Sequence, residues 1–410
     1  MRNQSKNIGG ESRNPEAPGF VQQCETKAAC KNWSFKMGLK DECGVCGIFR
    51  PENLESDSTA SSMAYFALVS LQHRGQESAG IVVSDGQTLK LKKEMGLVGD
   101  VFHKEDFEEL KGRIAVYIDD EKEPSKRICL NQKEKIYTLY ESEIEKQVTI
   151  TIMKYSEAAF GLCGIRYIEI DTEKLLPAPE KKARRIEIIG DSITCGYGVE
   201  ADNELVPFHT ETENPTKSYS LLTAKGLDAE VNLVCWSGNG IISKYVEETA
   251  TEPLTDCLMP ELYQYTDISC SQRILGFEEE KWEKWDFSKF VPDIILVNLG
   301  TNDCSWCKDI QERRDHYREE YIKFLGYVRE HNPKSEIVCM LGTMDQRVMK
   351  ELEEAVTIFG EKNNDRAVHF LALPAQNPED GYGADWHPCL YTQKKTAELV
   401  VNEVKKIMNW

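Results

Sequence analysis

The sequence predicts an α/β protein whose C-terminal half is a doubly wound, parallel five-stranded sheet. Three observations carry this. Short apolar runs at 185–190, 230–236, 293–299, 336–341 and 368–373 have the length and continuity of strands buried on both faces. Helical patterns at 218–225, 310–331, 347–363 and 392–408 alternate with them, as right-handed crossovers require. The most polar, glycine-bearing motifs follow the carboxyl ends of three runs or lie just before the last helix, where such sheets bind ligands.

Bulk properties bound the rest. A chain of 410 residues suggests two or three domains at ~100–200 residues each. A net charge of −19 argues against the cationic faces that nucleic acid or anionic membranes need. No apolar run approaches the ~20 residues of a membrane span. Fourteen cysteines, with no apolar secretory segment near Met1, read as reduced thiols, so the expected location is cytoplasmic. Nothing in the sequence speaks to oligomeric state.

Residues 1–40 are polar and aperiodic and read as a disordered leader. Residues 41–112 open with Asp41-Glu42-Cys43-Gly44-Val45-Cys46-Gly47-Ile48-Phe49. An apolar helical pattern through Met63, Phe66, Ala67 and Leu71 leads into Leu71-Gln72-His73-Arg74-Gly75-Gln76-Glu77-Ser78-Ala79-Gly80. These blocks resemble the opening of the glutamine amidotransferase domain of amidophosphoribosyltransferases, an N-terminal-nucleophile hydrolase fold. The resemblance implies that Cys43 corresponds to the nucleophile and Arg74 to a glutamine-holding residue. It stops within 112–116. The asparagine–glycine pair for an oxyanion and the acid for the substrate amine do not follow, so the fragment is expected to be vestigial.

Residues 113–180 read as strand-rich, with strands at 113–119, 136–140, 148–154 and 164–170 and a proline-stiffened linker at the end. They resemble the later strands of a jelly-roll sandwich whose opening strands are missing, as in a fusion. Residues 181–410 are expected to form the doubly wound domain. On its long helix, Tyr317, Tyr321, Phe324, Leu325 and Val328 share one face. The insertion at 247–283 has no clean strand.

The chemistry lies in Gly190-Asp191-Ser192-Ile193-Thr194-Cys195-Gly196-Tyr197-Gly198, in Gly300-Thr301-Asn302-Asp303 and in Gly383-Ala384-Asp385-Trp386-His387-Pro388. Ser192 after a strand is by itself also a good helix cap. Together with an amide at a second strand end and a histidine on a late loop, it can act as nucleophile, with Asn302 as oxyanion donor and His387 as base.

At these motifs the chain resembles the SGNH (GDSL-type) hydrolases, and GDSITCGYG resembles the nucleophile block of carbohydrate esterase family 2. The resemblance covers about 113–410 and implies a flavodoxin-like strand order. It also implies a serine esterase that removes acetyl groups, favouring the 6-position of sugars, from an acetylated oligosaccharide without a cofactor. It maps an oxyanion donor onto Gly238, with Gly240 competing. It leaves two candidates for orienting His387, the Asp385 carboxylate or a backbone carbonyl. Trp306, Tyr197 and Trp386 lie beside the motifs, and Trp306 is the candidate sugar platform. No metal site is predicted, since the CxxC pairs at 43–46 and 304–307 lie far apart in separate modules. The alternatives are a glutamine amidohydrolase acting through Cys43 and a non-catalytic carbohydrate-binding protein.

Overall fold

The computed structural model describes strand backbone at 22–23, 46–47, 78–84 and 89–95, and residues 113–410 apart from 120, 131–135, 159–162, 173–174, 207 and 269–280. The chain divides into two units, Met1–Glu109 and Leu110–Trp410.

In the first unit, β1 (Gln22–Gln23) pairs antiparallel with β2 (Cys46–Gly47), so a strand falls within the predicted leader. β3 (Ser78–Ser84) and β4 (Leu89–Met95) form an antiparallel pair from Ser78↔Met95 to Ser84↔Leu89. Cys43 and Arg74 lie outside the described residues.

The second unit begins with a three-stranded antiparallel sheet in which β5 (Arg113–Ile118) lies between β6 (Lys126–Cys129) and β7 (Ile150–Lys154). Two predicted strands, 136–140 and 164–170, are not strands, and β6 appears where a turn was expected. A strand needs a partner to satisfy its N–H and C=O groups, and among the described residues no strand pairs with either stretch. Their apolar side chains are accordingly left in solvent, with Ile136 70% and Ile165 65% exposed.

The larger sheet has five parallel strands: β8 (Arg184–Gly190), β9 (Ala229–Cys235), β10 (Ile294–Asn298), β11 (Glu336–Leu341) and β12 (Val368–Ala372). Their order is β12-β11-β10-β8-β9, a flavodoxin-like winding. Central β10 is buried at every position, which is why its sequence is continuously apolar rather than alternating.

Helices cover both faces. On one, α3 (Met259–Leu262) buries Met259 and Leu262, α5 (Gln311–His331) buries Tyr317, Tyr321, Phe324, Leu325 and Val328, and α6 (Met349–Asn363) buries Leu352, Ala355, Val356 and Phe359, in one core with Ile295, Val297 and Ile337. On the other, α2 (Tyr219–Gly226) and α7 (Leu390–Met408) pack Tyr219, Ala397, Val400 and Val404 on Ile186, Ile188 and Leu296. Truncating one of these buried aliphatics to Ala costs about 2–5 kcal/mol.

Register positions the site. Gly190 lies level with Cys235 of β9 on one side and Asn298 of β10 on the other. The three chains therefore leave the sheet side by side, bringing 191–192, 236–240 and 299–302 to one edge.

Candidate active site

Ser192 opens the one-turn helix α1 (Ser192–Cys195) directly after β8. Asp191 caps that turn, its carboxylate accepting from the Ile193 N–H at 3.0 Å. Ser192 is only 5% exposed, so its hydroxyl is recessed. Buried Gln393 of α7 accepts from the Tyr219 N–H and donates to the Ile193 carbonyl at 3.2 Å. The last helix of the chain thus braces the nucleophile turn.

The Ser192 Oγ and His387 Nε2 are 2.8 Å apart. On the other side of the ring, Nδ1 meets two backbone carbonyls, Ala384 at 3.1 Å and Asp385 at 3.2 Å. A carbonyl only accepts, so this arrangement fixes the proton on Nδ1 and leaves Nε2 free to take one from serine. Burial holds the His387 pKa down to about 4, against the opposing pull of the two carbonyls. The imidazole is therefore neutral, as a base must be.

The Asp385 carboxylate does not orient the ring. It accepts instead from the Tyr197 hydroxyl at 2.7 Å, and the Tyr197 ring stacks on His387 at 4.0 Å and on Phe208 at 3.9 Å. The two-residue spacing explains this. Asp385 and Trp386 both sit in the left-handed region, at φ 48° and 58°, in a tight turn that points the Asp385 carbonyl rather than its side chain at the ring. The turn is clamped by Gly383 N–H to His387 carbonyl at 2.8 Å and by Ala384 N–H to Gly198 carbonyl at 3.1 Å. A side chain at Gly198 would strike Ala384, and its φ of +58° also disfavours any residue with a Cβ.

Asn302 lies in the first turn of α4 (Thr301–Cys307), after β10. Its amide donates to the Asn239 carbonyl at 2.8 Å and, more weakly, to the Asp191 carboxylate at 3.3 Å. The longer bond is the one a developing oxyanion could replace. Gly238 adopts φ +77° with open space where its Cβ would be, whereas a Cβ at Gly240 would run into the Asp303 carboxylate. Of the two glycines, Gly238 therefore has the room to meet a substrate.

Motif reading alone missed the support beneath this turn. The buried Asp303 carboxylate accepts from Ile241, Ile242 and Ser243 N–H groups at 2.9, 2.7 and 3.2 Å, holding the loop that carries Gly238 and Asn239. Burial raises Asp303 to about 6, against those hydrogen bonds, and raises Asp191 to about 7. From the small sheet, Glu157 accepts from the Ser237 N–H at 2.6 Å. Arg127 forks onto Glu200 at 2.6 and 2.9 Å. Against the upward push of burial, Arg127 and Lys217 hold Glu200 down to about 2. The acid next to the asparagine in Gly-Thr-Asn-Asp was the available signal for Asp303; nothing local marked Glu157.

Trp306 is not a sugar platform. It is 9% exposed in the core cluster, with the Arg313 guanidinium 3.5 Å above its ring. The helix turns that face inward. Trp386, beside His387, is 54% exposed. Cys304 and Cys307 are fully buried, and burial pushes the Cys307 thiol up to about 12, so this CxxC is core packing.

Residues 188–389 match the GDSL-like lipase/acylhydrolase family. The chain is 31% identical over 265 residues to the cellulase/esterase CelE of Acetivibrio thermocellus, covering 64% of this chain and 30% of that protein. It therefore spans less than a third of that relative's length. It is 28% identical over 299 residues to an acetylxylan esterase/glucomannan deacetylase of Cellvibrio japonicus, covering 72% of this chain and 77% of the relative. Among solved structures it is similar to a family two carbohydrate esterase from Clostridium thermocellum in complex with cellohexaose, at 29% identity and TM-score 0.62, covering 73% of this chain and 87% of that one. A 78-residue N-terminal stretch is 44% identical to the amidophosphoribosyltransferase of Methanothermobacter thermautotrophicus, covering 19% of this chain and 16% of that one. An amidotransferase-like fragment is thus joined to a part resembling family 2 carbohydrate esterases.

Proposed function

We propose that this chain, whose residues 188–389 match the GDSL-like lipase/acylhydrolase family, is a serine esterase that removes O-acetyl groups from carbohydrates. The observation that carries the reading is the 2.8 Å contact between Ser192 Oγ and His387 Nε2, with Nδ1 facing backbone carbonyls. His387 takes the Ser192 proton as Oγ bonds to the acetyl carbonyl carbon. The Asn302 amide, with the Ser192 and Gly238 N–H groups, receives the charge that builds on the carbonyl oxygen. The imidazolium then protonates the departing sugar oxygen, leaving acetyl-Ser192 and a free hydroxyl. Water, deprotonated by the same histidine, releases acetate.

Recession of Ser192 favours an ester held out from the sugar ring. An acetyl on the exocyclic 6-oxygen reaches further than one on a ring hydroxyl. The carbohydrate class is supported by the relatives' names, an acetylxylan esterase/glucomannan deacetylase among them. The test is acetate release from acetylated xylan and glucomannan, with Ser192→Ala as control. Turnover by the variant near the wild-type rate rejects the mechanism, whereas 6-O and ring-O acetyl sugars hydrolysed equally reject only the positional preference.

A further inference from the structure

Behind the nucleophile turn lies a closed cluster that the esterase reaction does not use. Glu157 follows β7 of the small sheet, Cys195 ends α1, and Glu213 belongs to the loop before α2. One ligand atom from each lies within 4.8 Å of the others. The three residues are 7%, 2% and 1% exposed. Cys235, at the end of β9, is a neighbouring thiol that acts electrostatically on Cys195.

The cluster has too few donors for its acceptors. The Cys195 thiol and the Ser237 N–H both go to Glu157 Oε2, at 3.4 and 2.6 Å, and the Glu157 N–H reaches Glu213 Oε2 at 3.4 Å. The remaining oxygen of each carboxyl, Oε1 of Glu157 and of Glu213, is buried without a hydrogen-bond partner among the described residues. Leaving such oxygens unpaired is unfavourable, more so if they are charged. The nearby cation does not serve them, since Lys154 gives its ammonium to the Glu157 main-chain carbonyl at 2.8 Å. Two buried carboxyls side by side need either protons or a cation between them.

We propose that Glu157, Cys195 and Glu213 form a structural site for a thiophilic divalent cation of the zinc class, with the half-buried Cys235 beside it. A thiolate with two carboxylates suits zinc better than magnesium or calcium, which prefer all-oxygen shells. Full burial of the ligands is the mark of a structural rather than a catalytic site, which keeps an open position. Its effect would be to join the small sheet to the nucleophile turn and to the turn carrying Gly238. Uptake of the ion displaces the Cys195 thiol proton and any proton held by the carboxyls.

The experiment uses the full-length, reduced, chelator-dialysed chain, titrated with Co²⁺ and separately with Zn²⁺. The expected result is a near-ultraviolet thiolate-to-cobalt band saturating at one ion per chain, and a thermal midpoint raised by a few degrees by zinc. Glu213→Gln and Cys195→Ser are each expected to weaken binding by at least the ~100-fold seen when outer-shell partners are lost. Should either variant be insoluble, Glu157→Gln is read the same way. No thiolate band in the wild type overturns the site and leaves the carboxyls holding protons instead. An unchanged band and shift in the variants also overturns it, because the ion then sits on other cysteines.

Discussion

Tyr197 donates its hydroxyl to the Asp385 carboxylate at 2.7 Å while its ring lies against the His387 imidazole, 4.0 Å between centroids. The acid that a three-residue catalytic set would aim at the histidine is thereby held by a tyrosine. Asp385→Asn is expected to leave kcat within about tenfold of wild type, where loss of an orienting carboxylate costs ~10⁴. His387→Ala is expected to lose on the order of 10⁶. Steady-state kinetics on an aryl acetate measures both, and a 10⁴ loss in Asp385→Asn would transfer the orienting role to the carboxylate.

Asn302 is anchored in the ground state by the Asn239 carbonyl at 2.8 Å, so its amide is already aimed before charge develops. Asn302→Ala is expected to lower kcat by ~10²–10³ with KM little changed, the signature of an interaction made chiefly in the transition state. A change confined to KM would instead make Asn302 a ground-state binder.

The base must be neutral, and burial lowers the His387 pKa to about 4. A depressed histidine stays deprotonated until pH falls through that value, so the active form is present above it and lost below it. The acid limb of kcat/KM is therefore expected near pH 4, not near the ordinary ~6.5. A pH–rate profile on a neutral ester measures this, and a limb near 6.5 would mean that the imidazole is solvated.

The exposed Trp386 and the buried Trp306 separate binding from packing. Trp386→Ala is expected to raise KM for an acetylated oligosaccharide roughly tenfold, about 1.4 kcal/mol, and to spare an aryl acetate. Trp306→Ala is expected to cost about 3–5 kcal/mol of stability, read by denaturant unfolding. The reverse pattern would mean that the two rings have been assigned the wrong way round.

The small sheet reaches into the catalytic domain through Glu157 and Arg127, at 2.6 Å to the Ser237 N–H and 2.6 Å to Glu200. Removing residues up to Glu109, the boundary between the two units, is expected to leave esterase activity and thermal midpoint nearly intact. Removing residues up to Ala183 is expected to lower both, because Ser237, Glu213 and Cys195 lose their buried partner. Equal activity and stability in the two truncations would show that the small sheet is dispensable.

Sequence by itself determined the five-stranded parallel sheet and its helices, because each element there repeats a local period: continuous runs for doubly covered strands, and a stripe such as Tyr317, Tyr321, Phe324 and Val328 for a helix. It also marked Ser192, Asn302 and His387 as the candidate set, since a hydroxyl, an amide and an imidazole each stand at a strand end or on a late loop, and the fold brings Ser192 and His387 into contact. Strands at 136–140 and 164–170 were misread because β pairing is non-local. An alternating pattern states what a strand would bury, not whether a partner exists.

Only the tertiary structure decided that the carbonyls of Ala384 and Asp385, rather than a carboxylate, face His387, since two positive φ angles turn the peptide there. It alone decided that Trp306 packs under Arg313, and that Glu157 and Glu213, 56 residues apart, share a buried cluster with Cys195. Those outcomes depend on which groups the fold brings within about 3–5 Å, and side-chain chemistry over such distances is not encoded in any one stretch of chain.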